Sequence, residues 1–367
     1  MSAPARPPRR LAAQLWTVVA PLLTLGFVAM VHLVWGGRMP GLLILPAAAL
    51  LFATVFAAVH HAETVAHRLG DPYGAILLAV AVTIIELALI VAILLAAPPG
   101  TSEIARDTVF AAIMIVLNGI VGLCLLIGGV RFHAQGFQAR GATAALGVLG
   151  TVAVLALVLP NFTLATPGPV YAPPQLLFVA VVSLALYGLF LFVQMIRHRD
   201  DFRDPAGELA NGPPPDRRSF RGALAMLPVA LVAVVLLAES LSPMVEGAVA
   251  RAGLPAALVG VAIAMVVLMP EGTAAIRAAR ANRLQTALNL ALGSALASIC
   301  LTIPTVALLS LAMGQPLALG LDAEHVVLLI LSLFMATLSL ATGRTTVLQG
   351  GIHLVIFGAF LTIAAVP

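Results

Sequence analysis

Apolar runs of about twenty residues, parted by short polar or Pro/Gly-rich breaks, recur along the whole chain. A helix needs about 20 such residues to cross the hydrocarbon core of a bilayer. Eleven runs meet that length: 14–35, 41–66, 74–96, 107–130, 142–160, 175–196, 222–249, 255–276, 286–312, 325–342 and 346–366. The pattern predicts an all-α polytopic membrane protein with about eleven transmembrane helices. The second and seventh runs are long enough to tilt or to extend beyond the membrane. The first follows Arg6, Arg9 and Arg10 as a signal sequence would, but it exceeds a signal h-region, so a retained first helix is expected.

Composition agrees: 61% of the 367 residues are hydrophobic and 9% are charged, against about 25% charged in soluble domains. All nineteen basic residues are arginine, and their placement orients the spans. With the N-terminus in the cytoplasm and the spans alternating, only Arg38, Arg106 and Arg251 fall outside and the other sixteen fall inside. That bias is the positive-inside rule. The net charge of +4 then reflects membrane topology and not a nucleic-acid partner. Cys124 and Cys300 both lie in apolar runs and form no disulfide framework.

The one long hydrophilic segment, 197–221, reads as a cytoplasmic linker. It divides the chain into a tail and first helix (1–38), a first half (39–196) and a second half (222–367). Each half holds five spans, and an odd number inverts the second half relative to the first. The expected architecture is therefore one extra N-terminal helix plus two inverted five-helix repeats. Such repeats place a substrate site near the midplane, at the repeat interface. Residues 160–174 form an uncharged outer loop containing the sequon Asn161-Phe162-Thr163.

Two glutamates stand out against the apolar pattern. Glu86 lies within LLAVAVTIIELALIVAILL and Glu271 within VGVAIAMVVLMPEGTAAI. A carboxylate at mid-bilayer costs about 2.5–3.5 kcal/mol on insertion scales, and here the chain carries that cost once per half. Each acid is followed by a helix with the same pattern, Asn118-Gly119-Ile120-Val121-Gly122 and Asn289-Leu290-Ala291-Leu292-Gly293. Thr83 shares a helical face with Glu86. Pro270 is expected to break the helix before Glu271 and to free the carbonyl near Val266. Asn118, Asn289, Ser294 and Ser298 supply further polar atoms, as ion ligands or as links between helices. Carboxylates, hydroxyls and carbonyls make a hard oxygen site suited to Ca²⁺, Na⁺ or K⁺. Two acids that hold either protons or a cation are the minimal device for exchange. Glu63, Glu239 and Glu246 are candidate pathway acids. His60, His61 and His67 lie beside Glu63, as a pH-sensing cluster or a metal site.

The stretches HHAETVAHRLGDPYGAILLAVAVTIIE, MIVLNGIVGLCLLIGG and VVLMPEGTAAIRAARANRLQTALNLALGSALASICLTIP resemble the calcium/cation antiporter superfamily. They are most similar to its bacterial sodium-potassium/proton and calcium/proton antiporter branch. The resemblance implies a multi-pass protein of the bacterial inner membrane that exports Ca²⁺ or Na⁺/K⁺ in exchange for protons by alternating access. It implies Glu86 and Glu271 as the shared cation- and proton-binding acids, with Glu63 and Glu239 on the ion pathway. No resident cofactor is expected, and the partners are the lipid bilayer, small cations and protons. Typical members carry Gly-Asn-Ala-x-Glu before each acid. Here the windows are Val82-Thr83-Ile84-Ile85-Glu86 and Val267-Leu268-Met269-Pro270-Glu271. The Gly-Asn pair is missing from both, which speaks against strict Ca²⁺ selectivity. Two other classes compete: an intramembrane metal-dependent enzyme built on His60, His61, Glu63 and His67, and a cation channel.

Overall fold

The computed structural model describes residues 9–37, 39–69, 73–96, 103–204, 215–253, 255 and 257–366. These residues are almost entirely helical. The helices are α1 (Arg9–Trp35), α2 (Ile44–Leu69), α3 (Tyr73–Ala96) and α4 (Ile104–Met114). α4 runs through a π-helical turn, Ile115–Ile120, into α5 (Val121–Phe132). Then come α6 (Ala139–Ala153), α7 (Pro173–Phe192), α8 (Arg217–Arg251) and α9 (Ala257–Arg280). α10 (Leu284–Met313), α11 (Ala323–Leu340) and α12 (Val347–Ala365) complete the chain. Two short antiparallel strands, β1 (Gln135–Gly136) and β2 (Arg344–Thr345), pair with each other.

Among the described residues, ten helical stretches are long and apolar enough to cross a membrane. α3, with Glu86 as its one charged residue, lies where the remaining expected span falls. Large apolar side chains such as Leu33 (86% exposed) and Val355 (73%) face outward. In water such a surface would be an association site; in a bilayer it is the solvated face. The chain is thus an all-α, multi-pass membrane protein.

Pro270 does not break its helix. α9 continues from Ala257 to Arg280 with Pro270 inside it. Proline removes one N–H donor, the one that would reach Val266, and neighbouring helices tolerate that loss within a membrane bundle. The Thr273 hydroxyl donates to the Pro270 carbonyl at 2.8 Å one turn later.

Compactness divides the chain into two units, and each takes helices from both halves. The first is Met1–Ile85 with Pro213–Gly247. In it the hydroxyls of Thr24 and Thr54 meet at 2.7 Å across α1 and α2. Val28, Val31, Ala47, Leu237 and Leu241 form its core.

The second unit is Glu86–Gly212 with Ala248–Pro367. Its loops sort into two groups that match the predicted alternation. Buried Arg106 donates to the Gly320 carbonyl at 3.0 Å and pairs with Asp107, Glu103 and Asp322 at 2.8, 3.1 and 3.4 Å. Asn161 donates to the Leu321 carbonyl at 2.6 Å. All these residues belong to loops or helix ends expected on one side of the membrane. The other side gathers β1 against β2, Gln135 on Asn282 (2.9 Å) and Thr286 on Asp204 (2.6 Å).

The halves also exchange partners within this unit. α5 packs on α12 while α10 packs on α7, so the third helix of each half meets the fifth of the other. Small residues permit the first contact. A β-carbon on Gly350 would run into the backbone at Leu126, and one on Gly122 would stand 3.0 Å from Cβ of His353.

Candidate cation site

Glu86 is 2% exposed, in the middle of an apolar helix. Its carboxylate accepts a hydrogen bond from the Ser298 hydroxyl on α10 at 2.6 Å. Burying a carboxyl group requires such a partner, because an unbonded polar group in an apolar interior costs several kcal/mol, of the order of 2–7. Ser298 shares a face of α10 with half-buried Ser294 and with Thr302, four residues to either side. Thr302 is fully buried, and its hydroxyl has no hydrogen-bond partner among the described residues. Helical threonines elsewhere in the chain, Thr54, Thr64 and Thr305 among them, bond back to the carbonyl four residues earlier. Thr302 therefore adds an uncommitted oxygen one turn from Ser298. Its i+4 spacing from Ser298 is the one signal of it in the sequence.

Glu271 is buried on α9 directly after Pro270. The missing side chain of Gly272 makes room for Ile120, whose Cδ1 would lie 3.1 Å from a β-carbon there. Ile120 closes the π-helical turn that contains Asn118. Asn118 is fully buried, and its amide is committed. Nδ2 donates to Ser332 Oγ at 2.8 Å, and Oδ1 lies 3.0 Å from Nδ1 of His353. The structure thus uses Asn118 to join helices. His353 was not singled out from the sequence: a lone histidine in an apolar run carries no periodic signal.

Thr83 is buried on α3, one turn before Glu86. Asn289 lies in the second turn of α10, about half a revolution from Ser298 at 100° per residue. Its Nδ2 donates to the Phe202 carbonyl at 2.5 Å, and its Oδ1 accepts from Gln285 at 2.9 Å. It ties a loop to the helix end instead of extending the stripe of Ser294, Ser298 and Thr302. Glu63 and Glu239 are exposed in the first unit, and the side chain of Glu246 lies outside the described residues.

The histidine cluster does not assemble as a metal site. His61 is buried with a ring nitrogen 3.0 Å from the Thr17 carbonyl oxygen. The half-buried His60 ring lies 6.5 Å from Trp16 and 6.0 Å from His61, while Glu63 and His67 are exposed. Among the described residues the one group within joint metal-ligating reach is Asp322, Glu324 and His325. There the Arg106 guanidinium already stands 3.4 Å from Asp322. The metal-enzyme reading loses its only structural support.

Comparison with known proteins bears on the family and the fold. The profile of the sodium/calcium exchanger protein family matches residues 39–196 and 222–366. The protein y4hA of Sinorhizobium fredii (strain NBRC 101917 / NGR234) is 52% identical over 356 residues, 96% of each chain. The sodium-potassium/proton antiporter ChaA of Escherichia coli (strain K12) is 36% identical over 319 residues, 85% of each chain. The crystal structure of the H⁺/Ca²⁺ exchanger CAX superposes with a TM-score of 0.71 at 16% identity, covering 97% of this chain and 90% of that one. This last likeness establishes the shared fold. The chain belongs to the sodium/calcium exchanger protein family, a family of membrane transporters and not of enzymes.

Proposed function

We propose that this protein is a secondary cation/proton antiporter of the bacterial inner membrane. It exports Na⁺, K⁺ or Ca²⁺ in exchange for protons by alternating access, with its N-terminus in the cytoplasm. The observation that carries the reading is a buried carboxylate in the second helix of each half. Glu86 is held by a hydroxyl from the opposite half, and Glu271 lies beside the Gly272–Ile120 contact. In the deprotonated state the two acids take a hard cation, with Ser298, Ser294 and Thr302 as neutral oxygen donors. When protonated they release it, and the protons travel the other way. The reciprocal packing of α5 on α12 and α10 on α7 supports a pair of inverted repeats around such a site. Glu63 and Glu239 are the pathway acids of this reading.

Relatives named as sodium-potassium/proton and Ca²⁺/H⁺ antiporters support exchange against protons and span both cation classes. The absent Gly-Asn pairs leave few neutral amide ligands beside the acids, which favours a broad or monovalent preference. The test is proton flux in inside-out vesicles energised by respiration. Addition of Na⁺, K⁺ or Ca²⁺ dissipates the pH gradient with the wild-type protein, and Glu86→Gln and Glu271→Gln each abolish that response. Full exchange in both variants would remove the site from these residues. Cation flux that ignores the pH gradient would favour a channel.

A further inference from the structure

We infer that His353 is a positioning residue for exchange: it clamps the Asn118 amide and thereby fixes the π-helical turn that seats Ile120 against Gly272, next to Glu271. The inference rests on the proposed role of Glu271. His353 is 0% exposed, on a helix whose other side chains are almost all apolar or small. Its two ring nitrogens are both engaged, Nδ1 with Asn118 Oδ1 at 3.0 Å and Nε2 with Ser339 Oγ at 3.2 Å. An amide oxygen can only accept, so Nδ1 carries the proton, and in the neutral ring Nε2 accepts from the Ser339 hydroxyl. Asn118 Nδ2 donates to Ser332 Oγ, which donates in turn to the Leu328 carbonyl at 2.6 Å. The amide is therefore held from both ends, by α12 and by α11. A buried polar network whose members are all satisfied defines one geometry, whereas apolar packing tolerates several.

The geometry held in this way is one of three π-helical segments among the described residues, with Val154–Val158 and Val193–Arg197. Between Ile115 and Ile120 the helix opens by one residue per turn, and the Val121 N–H reaches back five residues to the Val116 carbonyl. π-Helical turns are rare and concentrate at functional sites. Asn118 sits within the turn and Ile120 at its end, so the clamp and the contact to Gly272 are two residues apart on one rigid element. Gly122 admits the histidine, since any side chain there would press on its β-carbon. Loss of the Asn118 bond releases the turn and with it the packing beside Glu271. His353 acts through Asn118.

The experiment compares His353→Leu, which removes the donor, with His353→Asn, which keeps a donor near the Nδ1 position. Exchange of Na⁺, K⁺ and Ca²⁺ is measured in vesicles alongside thermal unfolding of the purified protein. For His353→Leu the half-saturating cation concentration is expected to rise by about 2- to 30-fold, the range for residues coupled to a site without touching its ligand. Maximal rate per folded molecule changes much less, and His353→Asn restores most of the wild-type half-saturation. A His353→Leu protein with lowered melting temperature but wild-type half-saturation would reduce His353 to a packing role and overturn the inference. Should His353→Leu fail to assemble, Ser332→Ala removes the other anchor of Asn118 and is expected to raise half-saturation in the same direction; wild-type half-saturation in it would also overturn the inference. Full exchange in Glu271→Gln would instead sink the underlying site reading, so the two failures are distinct.

Discussion

Asn118 and Asn289 head the same five-residue pattern in the third helix of each half, yet they occupy different depths. Asn118 lies midway along Ile104–Phe132, in a π-helical turn, with its amide bonded to α11 and α12. Asn289 lies in the second turn of α10 and ties down the Phe202 carbonyl. On α10 it is Ser298 that meets an acid, nine residues beyond Asn289. The glycines diverge as well. Gly122 faces His353 at contact distance, while a β-carbon on Gly293 would meet nothing within 4 Å among the described residues. A repeated motif therefore does not fix a shared role. One third helix is clamped at a π-helical turn, and the other is an unbroken α-helix that presents hydroxyls.

The largest effect that separates the two helices is expected from Ser298. Ser298→Ala removes a hydrogen bond to a buried carboxyl group, worth about 1.5–3 kcal/mol when the partner is charged. That corresponds to a rise in half-saturating cation of about 10- to 150-fold. If the serine only filled space, alanine would leave the exchange curve in place, and the contrast between the two helices would lose its functional side.

The glycines come next, and here the expected signs are opposite. Gly122→Ala forces a β-carbon against His353 and costs about 1–3 kcal/mol through overpacking. Gly293→Ala meets no described residue within 4 Å in a helix interior and gains about 0.5–1 kcal/mol from reduced backbone freedom. Melting temperatures of the two purified variants would move in opposite directions. Equal shifts would mean that the two third helices are packed alike after all.

The spans were legible in the sequence because a bilayer imposes length and composition on every helix that crosses it. The grouping of Arg106 with Gly320, and of Gln135 with Asn282, follows the alternation of the spans. That Glu86 and Glu271 stand apart from the apolar pattern was legible in the sequence. The roles of the residues around them were not. His353 and Asn118 stand 235 positions apart, and no local periodicity links them. Thr302 reads as one more small residue in an apolar run until its hydroxyl is seen to have no partner among the described residues. Pro270 pointed to a broken helix, but a single lost donor does not break α9 when its neighbours hold it. His60, Glu63 and His67 share a face on paper, yet His61 turns to Thr17 and the others remain apart.

The smallest effect is expected at Asn289, and it bears on the comparison most directly. If the repeated asparagines were equivalent, Asn289→Ala would disturb exchange as strongly as Asn118→Ala. The structure gives Asn289 two bonds near a helix end, to the Phe202 carbonyl and to Gln285, whose Oε1 accepts from the Gln138 N–H at 2.6 Å. This is a surface-side tie between a loop and a helix. Its loss costs about 0.5–1.5 kcal/mol of stability, the net value of an ordinary hydrogen bond. Half-saturation and maximal exchange rate per folded molecule should stay at wild-type values, because Ser298 lies on the other face of α10. An Asn289→Ala protein of wild-type stability that exchanges poorly would return this residue to the ion path and restore the symmetry that the depths of the two asparagines argue against.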